Sequence, residues 1–341
     1  MRFMSRRYEP MLIRLSLATV LAFGSLQIAR AEWTLEQVLD KPYFTESDIS
    51  SVRKGGFGVA RIHEVSDREL AVVIACLVND TSEKALAPFL GDSLPVDEDL
   101  LRDHGLIDPD APERSFSEVS LDRNNAQEIA NYLDAEPGFG LNLSSEEIEA
   151  FRALRERPDT EQVELLLADV LHARYRAYRE SGLDGAPPYA REGGKVVRPG
   201  EELRKTEEQM TGLHELYPEF HNAWLRYPHS MPDDIVQDDH FWLKLEIEGR
   251  PAFVLSHRLV ASNEDMHLVG IRDYYMSHFF DVSQRAAVVT RLDTGEDILI
   301  YVERAWVDYW SGLVSLKKKI GHKVLRSRME HLLQDHGICG S

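Results

Sequence analysis

Between Asp239 and Val307 apolar and polar residues alternate with a period of two, interrupted at Glu248-Gly249, Ser262-Asn263 and Thr294-Gly295. That period places successive side chains on opposite faces of a strand, and Gly- or Asn-bearing breaks between such runs signal hairpins. The segment predicts an antiparallel meander with strands over residues 241–248, 252–261, 267–277, 284–292 and 297–307. A long helix over about 310–334 follows, with Leu313, Leu316, Ile320, Val324, Met329 and Leu332 as its apolar stripe. The rest of the chain has to be fitted to that sheet.

Upstream, residues 57–64 and 69–78 read as a hairpin turning at Ser66-Asp67, and the second arm is so continuously apolar that it belongs inside a sheet. A helix over 34–52 precedes it and one over 81–90 follows, capped by Thr81 or Ser82. Residues 91–125 are rich in Asp and Pro and read as an irregular surface connection. Ser144-Ser145-Glu146-Glu147 is a capping box opening a helix to about residue 157, and 159–181 is strongly amphipathic. Residues 182–200 have linker composition, and 201–227 reads as one helix ending at Pro228. The predicted class is α+β, with a curved antiparallel sheet, a long C-terminal helix and a helical insertion. Its parts are 1–31, a leader; 32–124, contributing to the sheet; 125–230, an insertion or cap; and 231–341, the meander and final helix.

Lys and Arg number 39 against 58 Asp and Glu in 341 residues, a net charge of −19. Phosphate neutralisation needs a basic face, so this balance excludes a general nucleic-acid binder. Arg2, Arg6, Arg7 and Arg14 precede an apolar run over 15–28, and Ala29-Arg30-Ala31 has the small-x-small form of a signal-peptidase site. Cleavage near Ala31 is expected, giving a periplasmic or secreted product; the run is shorter than the ~20 apolar residues a spanning helix needs. The two cysteines, Cys76 and Cys339, permit one disulfide there, although Cys76 inside its apolar strand reads first as a small buried hydrophobe.

Strand alternation singles out a few polar residues. His257 shares a face with Phe253, Leu255 and Leu259, and Arg304 shares one with Ile298, Ile300, Val302 and Trp306. Tyr274, Met276, His278 and Phe280 share another. An imidazole or guanidinium costs several kcal/mol to bury unpartnered (~2–7 for a neutral polar group), so each needs a reason to be there. One reason is a greasy pocket in which His257, Arg304, Tyr275, His278 and Trp306 bind a ligand, Arg304 forking onto an anionic head. The other is internal pairing, Arg304 with Asp308 or Glu246 and His257 with a backbone carbonyl, and ordinary packing for His278.

Three further motifs carry weaker signals. Gly91-Asp92-Ser93-Leu94 spells the motif of GDSL esterases, but a helix-like segment precedes Ser93 and the only Asp-x-x-His, Asp169 to His172, lies mid-chain. Asp233-Asp234 and Asp238-Asp239-His240 resemble a cation loop, yet without EF-hand spacing they read as a solvated loop before a strand. No metal or other cofactor is implied. Lys317, Lys318, Lys319, Lys323, Arg326 and Arg328 make the last helix basic, suiting transient contact with an anionic membrane surface or simple charge balance.

The element order resembles the helix-grip arrangement of START-like proteins, whose curved sheet wraps a C-terminal helix around a hydrophobic ligand. Asp67-Arg68-Glu69-Leu70-Ala71-Val72, Phe241-Trp242-x-Lys244, Ser256-His257, Tyr274-Tyr275-x-Ser277-His278-Phe279-Phe280 and Tyr301-x-x-Arg304-x-x-x-Asp308-x-x-x-Gly312 resemble a family of exported proteobacterial proteins with which no activity is associated. The resemblance implies cysteines near Glu136-Pro137-Gly138, and this chain has none there. The expected function is non-catalytic binding or transfer of a lipid-like hydrophobic small molecule. The alternatives are a GDSL-type serine esterase using Ser93 and a structural envelope protein without ligand.

Overall fold

The computed structural model describes residues 33–39, 43–91, 94–122, 125–138, 140–263, 266–307 and 314–339. The expected leader and the Asp92-Ser93 pair lie outside these residues. Thr34 and Thr45 each close a capping box, so the single helix expected over 34–52 is two, α1 (Leu35–Val38) and α2 (Glu46–Arg53). β1 (Gly58–Arg61) and β2 (Glu69–Leu77) form the expected hairpin, and α3 (Ser82–Leu90) follows from its cap Thr81. The Asp- and Pro-rich connection is more ordered than its composition suggests, holding β3 (Leu101–Leu106) and α4 (Pro112–Phe116). Next come α5 (Ala126–Leu133), α6 (Ser145–Ala153) from its capping box, and α7 (Thr160–Ser181) capped by Asp159.

The linker-like segment is packed into the protein. β4 (Tyr189–Ala190) pairs with β5 (Val196–Val197), and the buried Tyr189 hydroxyl donates to the Asp281 carbonyl at 3.0 Å. Three helices then stand where one was expected: α8 (Pro199–Glu208), α9 (Thr211–Leu216) and α10 (Pro218–Arg226). Pro218 opens α10 at the first helical position, where its missing N–H costs nothing and its fixed φ already suits the helix. The meander is β6 (Ile235–Ile247), β7 (Arg250–Ser262), β8 (Met266–Met276), β9 (Phe280–Arg291) and β10 (Asp297–Val307), closed by α11 (Val314–Asp335).

These elements make an α+β protein around one antiparallel eight-stranded sheet of order β1-β2-β10-β9-β8-β7-β6-β3. β2 joins the early hairpin to the last strand, and β3 caps the far edge with an exposed, polar sequence. One face carries Val72, Ile74, Val289, Leu299 and Tyr301 and packs against α3 and α11. The other carries Phe253, Leu255, Leu259, Val288 and Trp306 and packs against the helical segment between α5 and α10. α10 comes close because Gly270 of β8 has no side chain: a Cβ there would meet the Phe220 ring at 2.8 Å. The sheet is thus covered by helices on both faces.

Two expected faces are corrected. Met329 and the half-buried Leu332 of the expected α11 stripe do face the sheet, joined by Leu325 and Leu333, whereas Ile320 and Val324 are 56% and 61% exposed. The side chain of Leu316 and all of Leu313 lie outside the description. Tyr274 and Met276 belong to opposite faces, because a bulge opposite Leu255 and Ser256 breaks the alternation there. Cys76 of β2 is disulfide-bonded to Cys339, just beyond α11, with Cα atoms 6.0 Å apart. Among the described residues no helix is long and apolar enough to cross a membrane.

Candidate functional site

The cross-strand register lines up polar residues on the face that packs against the helices between α5 and α10. His240 pairs with His257, His257 with Arg272, Arg272 with Gln284, and Gln284 with Arg304, a row spanning β6, β7, β8, β9 and β10. All five are buried, and carboxylates from outside the row sit over it. Arg304, 1% exposed, forms an ion pair with Glu69 and donates to the His63 carbonyl at 2.7 Å. Glu207 of α8 accepts from Gln284 at 3.0 Å and lies 3.8 Å from Arg272. Burial pushes the Glu207 carboxyl up to about 7 against the attraction of Arg272. Arg272 donates to the Tyr178 hydroxyl at 3.1 Å and to the Trp224 carbonyl at 2.9 Å, its guanidinium 4.2 Å from the Trp224 ring.

At the open end of the row stand two imidazoles and a carboxylate. β6 begins at Ile235, ahead of the expected start, so Asp238 and His240 are strand residues on one face rather than members of a solvated loop. The His240 and His257 rings stack 4.4 Å apart at 5°. His257 Nε2 donates to Asp238 Oδ1 at 3.0 Å, and its Nδ1 accepts from the Tyr178 hydroxyl at 2.9 Å. His240 Nε2 lies 3.0 Å from Tyr227 Oη and 3.5 Å from Asp238 Oδ1. Arg179 donates to Asp238 Oδ2 at 2.9 Å and also to the Tyr227 hydroxyl. Burial pushes His257 down to about 3, helped by His240, and lowers His240 too, so both rings are neutral at neutral pH. Burial raises the Asp238 carboxyl, but hydrogen bonds from the two histidines outweigh this and hold it well below its ordinary range.

The five residues expected to converge on one ligand fall in separate places. His257 and Arg304 share the row, but three strand spacings of ~4.8 Å separate them, too far to grip one small polar head. Tyr275 packs under the Arg174 guanidinium at 4.3 Å. His278 Nδ1 lies 3.1 Å from Ser277 Oγ, its ring against Phe279, and burial pushes it down to about 3. The Trp306 indole donates to Thr206 Oγ1 at 2.6 Å. Arg304 therefore has an internal partner, Glu69 rather than Glu246, while Asp308 lies outside the described residues; His257 pairs with side chains rather than a carbonyl. His172, the only base in an Asp-x-x-His, lies on α7 against the Phe116 ring at 5.7 Å.

An apolar pocket of about 250 Å³ opens on the same face, nearer the sheet's N-terminal edge. Its floor is Val73, Ala286, Val288, Ile300 and Val302; its walls are Trp33, Val38, Tyr43 and Phe44 on one side and Met210, Leu213 and Leu216 on the other. Gln37, Gln209 and Glu215 are its polar members, and no Lys, Arg or His lines it. None of the five expected ligand residues does either. No protein-family model matches the chain, and no curated protein is detectably similar to it. Asp238 and His240 were weighed for a cation and read as a solvated loop, whereas Tyr178, Tyr227 and Arg272 were missed by sequence reasoning. The Asp238-x-His240 spacing carries the signal once strand period is extended back to Ile235.

Proposed function

We propose that this chain is an exported, non-catalytic protein that binds a lipid-like hydrophobic small molecule in the pocket between α1 and α9. One observation carries the reading: aliphatic and aromatic side chains from the sheet and two separate helical segments surround an open space, with polar groups only at a few positions. This is the wall chemistry of ligand pockets, and at about 250 Å³ it sits just below their usual ~300–1,000 Å³, suiting one short chain or a small ring system. Amide side chains and a carboxylate, without a cation, favour a neutral hydroxyl-bearing head over a fatty acid. The helix-grip likeness enters through element order, but the proposed seat is on the sheet face away from α11. Export agrees with the Cys76–Cys339 disulfide and with the leader-like N-terminus.

Titration with an environment-sensitive naphthalene dye, then displacement by medium-chain alcohols, monoacylglycerols and fatty acids, tests the reading. Uptake of one dye per chain is expected, displaced by alcohols and monoacylglycerols at lower concentrations than by the matching acids. Val302→Trp, which fills the floor, is expected to weaken dye binding at least about tenfold, the loss of roughly two buried methylenes. Absence of uptake, or uptake unaffected by Val302→Trp in a folded variant, overturns it.

A further inference from the structure

The imidazole pair and Asp238 lie outside that pocket and make no use of it. Their three donor atoms lie within 4.8 Å of one another. They come from neighbouring strands in fixed register: Asp238 and His240 two residues apart on β6, and His257 opposite His240 on β7. We propose that Asp238, His240 and His257 bind one divalent first-row transition ion, with zinc the best match.

Geometry and chemistry both support this assignment. A tetrahedral zinc with bonds of ~2.0–2.1 Å holds its ligand atoms about 3.3–3.4 Å apart. The two distances from Asp238 Oδ1, 3.0 Å to His257 Nε2 and 3.5 Å to His240 Nε2, bracket that spacing, and the two imidazoles, stacked at 5°, must turn about their side-chain bonds to aim both lone pairs at one ion. Two imidazole nitrogens with one carboxylate suit zinc, iron or cobalt, whereas calcium and magnesium take oxygen ligands.

Outer partners stand behind two of the three ligands, His257 and Asp238, while His240 Nδ1 is buried without one. Tyr178 Oη, at 2.9 Å, stands ready to accept from His257 Nδ1 once Nε2 carries the ion, the contact that fixes a ligating imidazole. Arg179 holds Asp238 Oδ2 and leaves Oδ1 facing the two rings. Access is from the Asp238 side, where the side chain is 27% exposed while both histidines are buried. Three protein ligands leave a fourth position open, and the Tyr227 hydroxyl, now 3.0 Å from His240 Nε2, must give up that contact when the nitrogen takes an ion. Zinc sites with an open position are those that exchange water or a substrate, unlike closed four-ligand structural sites.

The test uses the full disulfide-bonded chain, dialysed against chelator and titrated with Co²⁺ as a visible-absorbing stand-in, then with competing Zn²⁺. The expected result is a d–d band saturating at one equivalent and quenched by Zn²⁺. Asp238→Asn, which keeps the side chain's shape at a partly exposed position, is expected to weaken Co²⁺ binding by more than about 100-fold. Tyr178→Phe should weaken it about 10-fold. Asp233→Asn, in the same acid-rich segment, should leave it unchanged. Circular dichroism confirms that each variant is folded. Absence of a band in the native chain, affinity unaltered by Asp238→Asn, or equal loss in Asp233→Asn overturns the site and identifies the cluster as an internal hydrogen-bond network or a diffuse acidic surface.

Discussion

Arg304 and Glu69 meet from strands 235 positions apart in the chain, and neither is reachable by solvent. Desolvating both charges costs so much that such a pair contributes little net stability over a well-packed apolar replacement, yet removing one partner strands the other in a medium that cannot solvate it. Arg304→Met is therefore expected to lower unfolding free energy by about 3–5 kcal/mol, and Arg304→Met with Glu69→Met to recover most of that loss, read from urea midpoints at constant m-value. A single variant as stable as the native chain would mean that Glu69 finds another donor. At this scale sequence reasoning located the oddity and missed its partner. Alternation put Arg304 and His257 on an apolar face correctly, but Glu69 and Tyr178 arrive from remote elements, and no local pattern encodes their approach. The row His240–His257–Arg272–Gln284–Arg304 is invisible in one dimension, since it exists only across five strands in register.

Elements with a strong period were legible and those held by tertiary contacts were not. The meander, β2, α3, α6 and α7 follow from alternation and capping. β3 was not legible because an edge strand needs no apolar face, and β4 and β5 because two-residue strands carry no period. α11 was found with its stripe rotated. Ile320 and Val324 look core-facing by spacing, while Leu325, Met329 and Leu333, spaced four apart, are the residues that reach the sheet. Lys318, from the basic run of this helix, is held inward, paired with Glu64 at 2.8 Å and donating to the Ser66 carbonyl. Met329→Ala and Leu333→Ala are each expected to cost about 2–5 kcal/mol, whereas Ile320→Lys and Val324→Lys should stay within about 0.5 kcal/mol of the native chain. Met329 belongs to both stripes, so thermal melts of Leu333→Ala, Ile320→Lys and Val324→Lys distinguish the two, and a large loss from Val324→Lys would restore the one expected from spacing.

On the scale of the whole molecule, the chain's two ends are tied by sheet topology and then again by sulfur. β2 lies beside β10, so the early hairpin cannot leave the sheet without exposing the last strand. Cys76 in β2 and Cys339 beyond α11 close a loop of 263 positions over that arrangement, with the Asn79 amide donating to the Ile338 carbonyl at 2.9 Å beside it. Sequence left this bridge open because a cysteine in an apolar strand packs equally well as a small hydrophobe, and only the descent of α11 onto the sheet brings its partner within reach. Constraining so long a loop restricts the unfolded chain far more than the folded one, and such crosslinks are worth about 2–5 kcal/mol. Reduction, or Cys339→Ser, is expected to lower the urea midpoint accordingly. Exchange protection should fall first in α11, whose C-terminal turn loses its covalent anchor, and last in β7, β8 and β9, which are paired on both sides. Uniform loss of protection across sheet and helix would instead mean that the disulfide acts only through the unfolded state and that α11 is held in place by Leu325, Met329 and Leu333 alone.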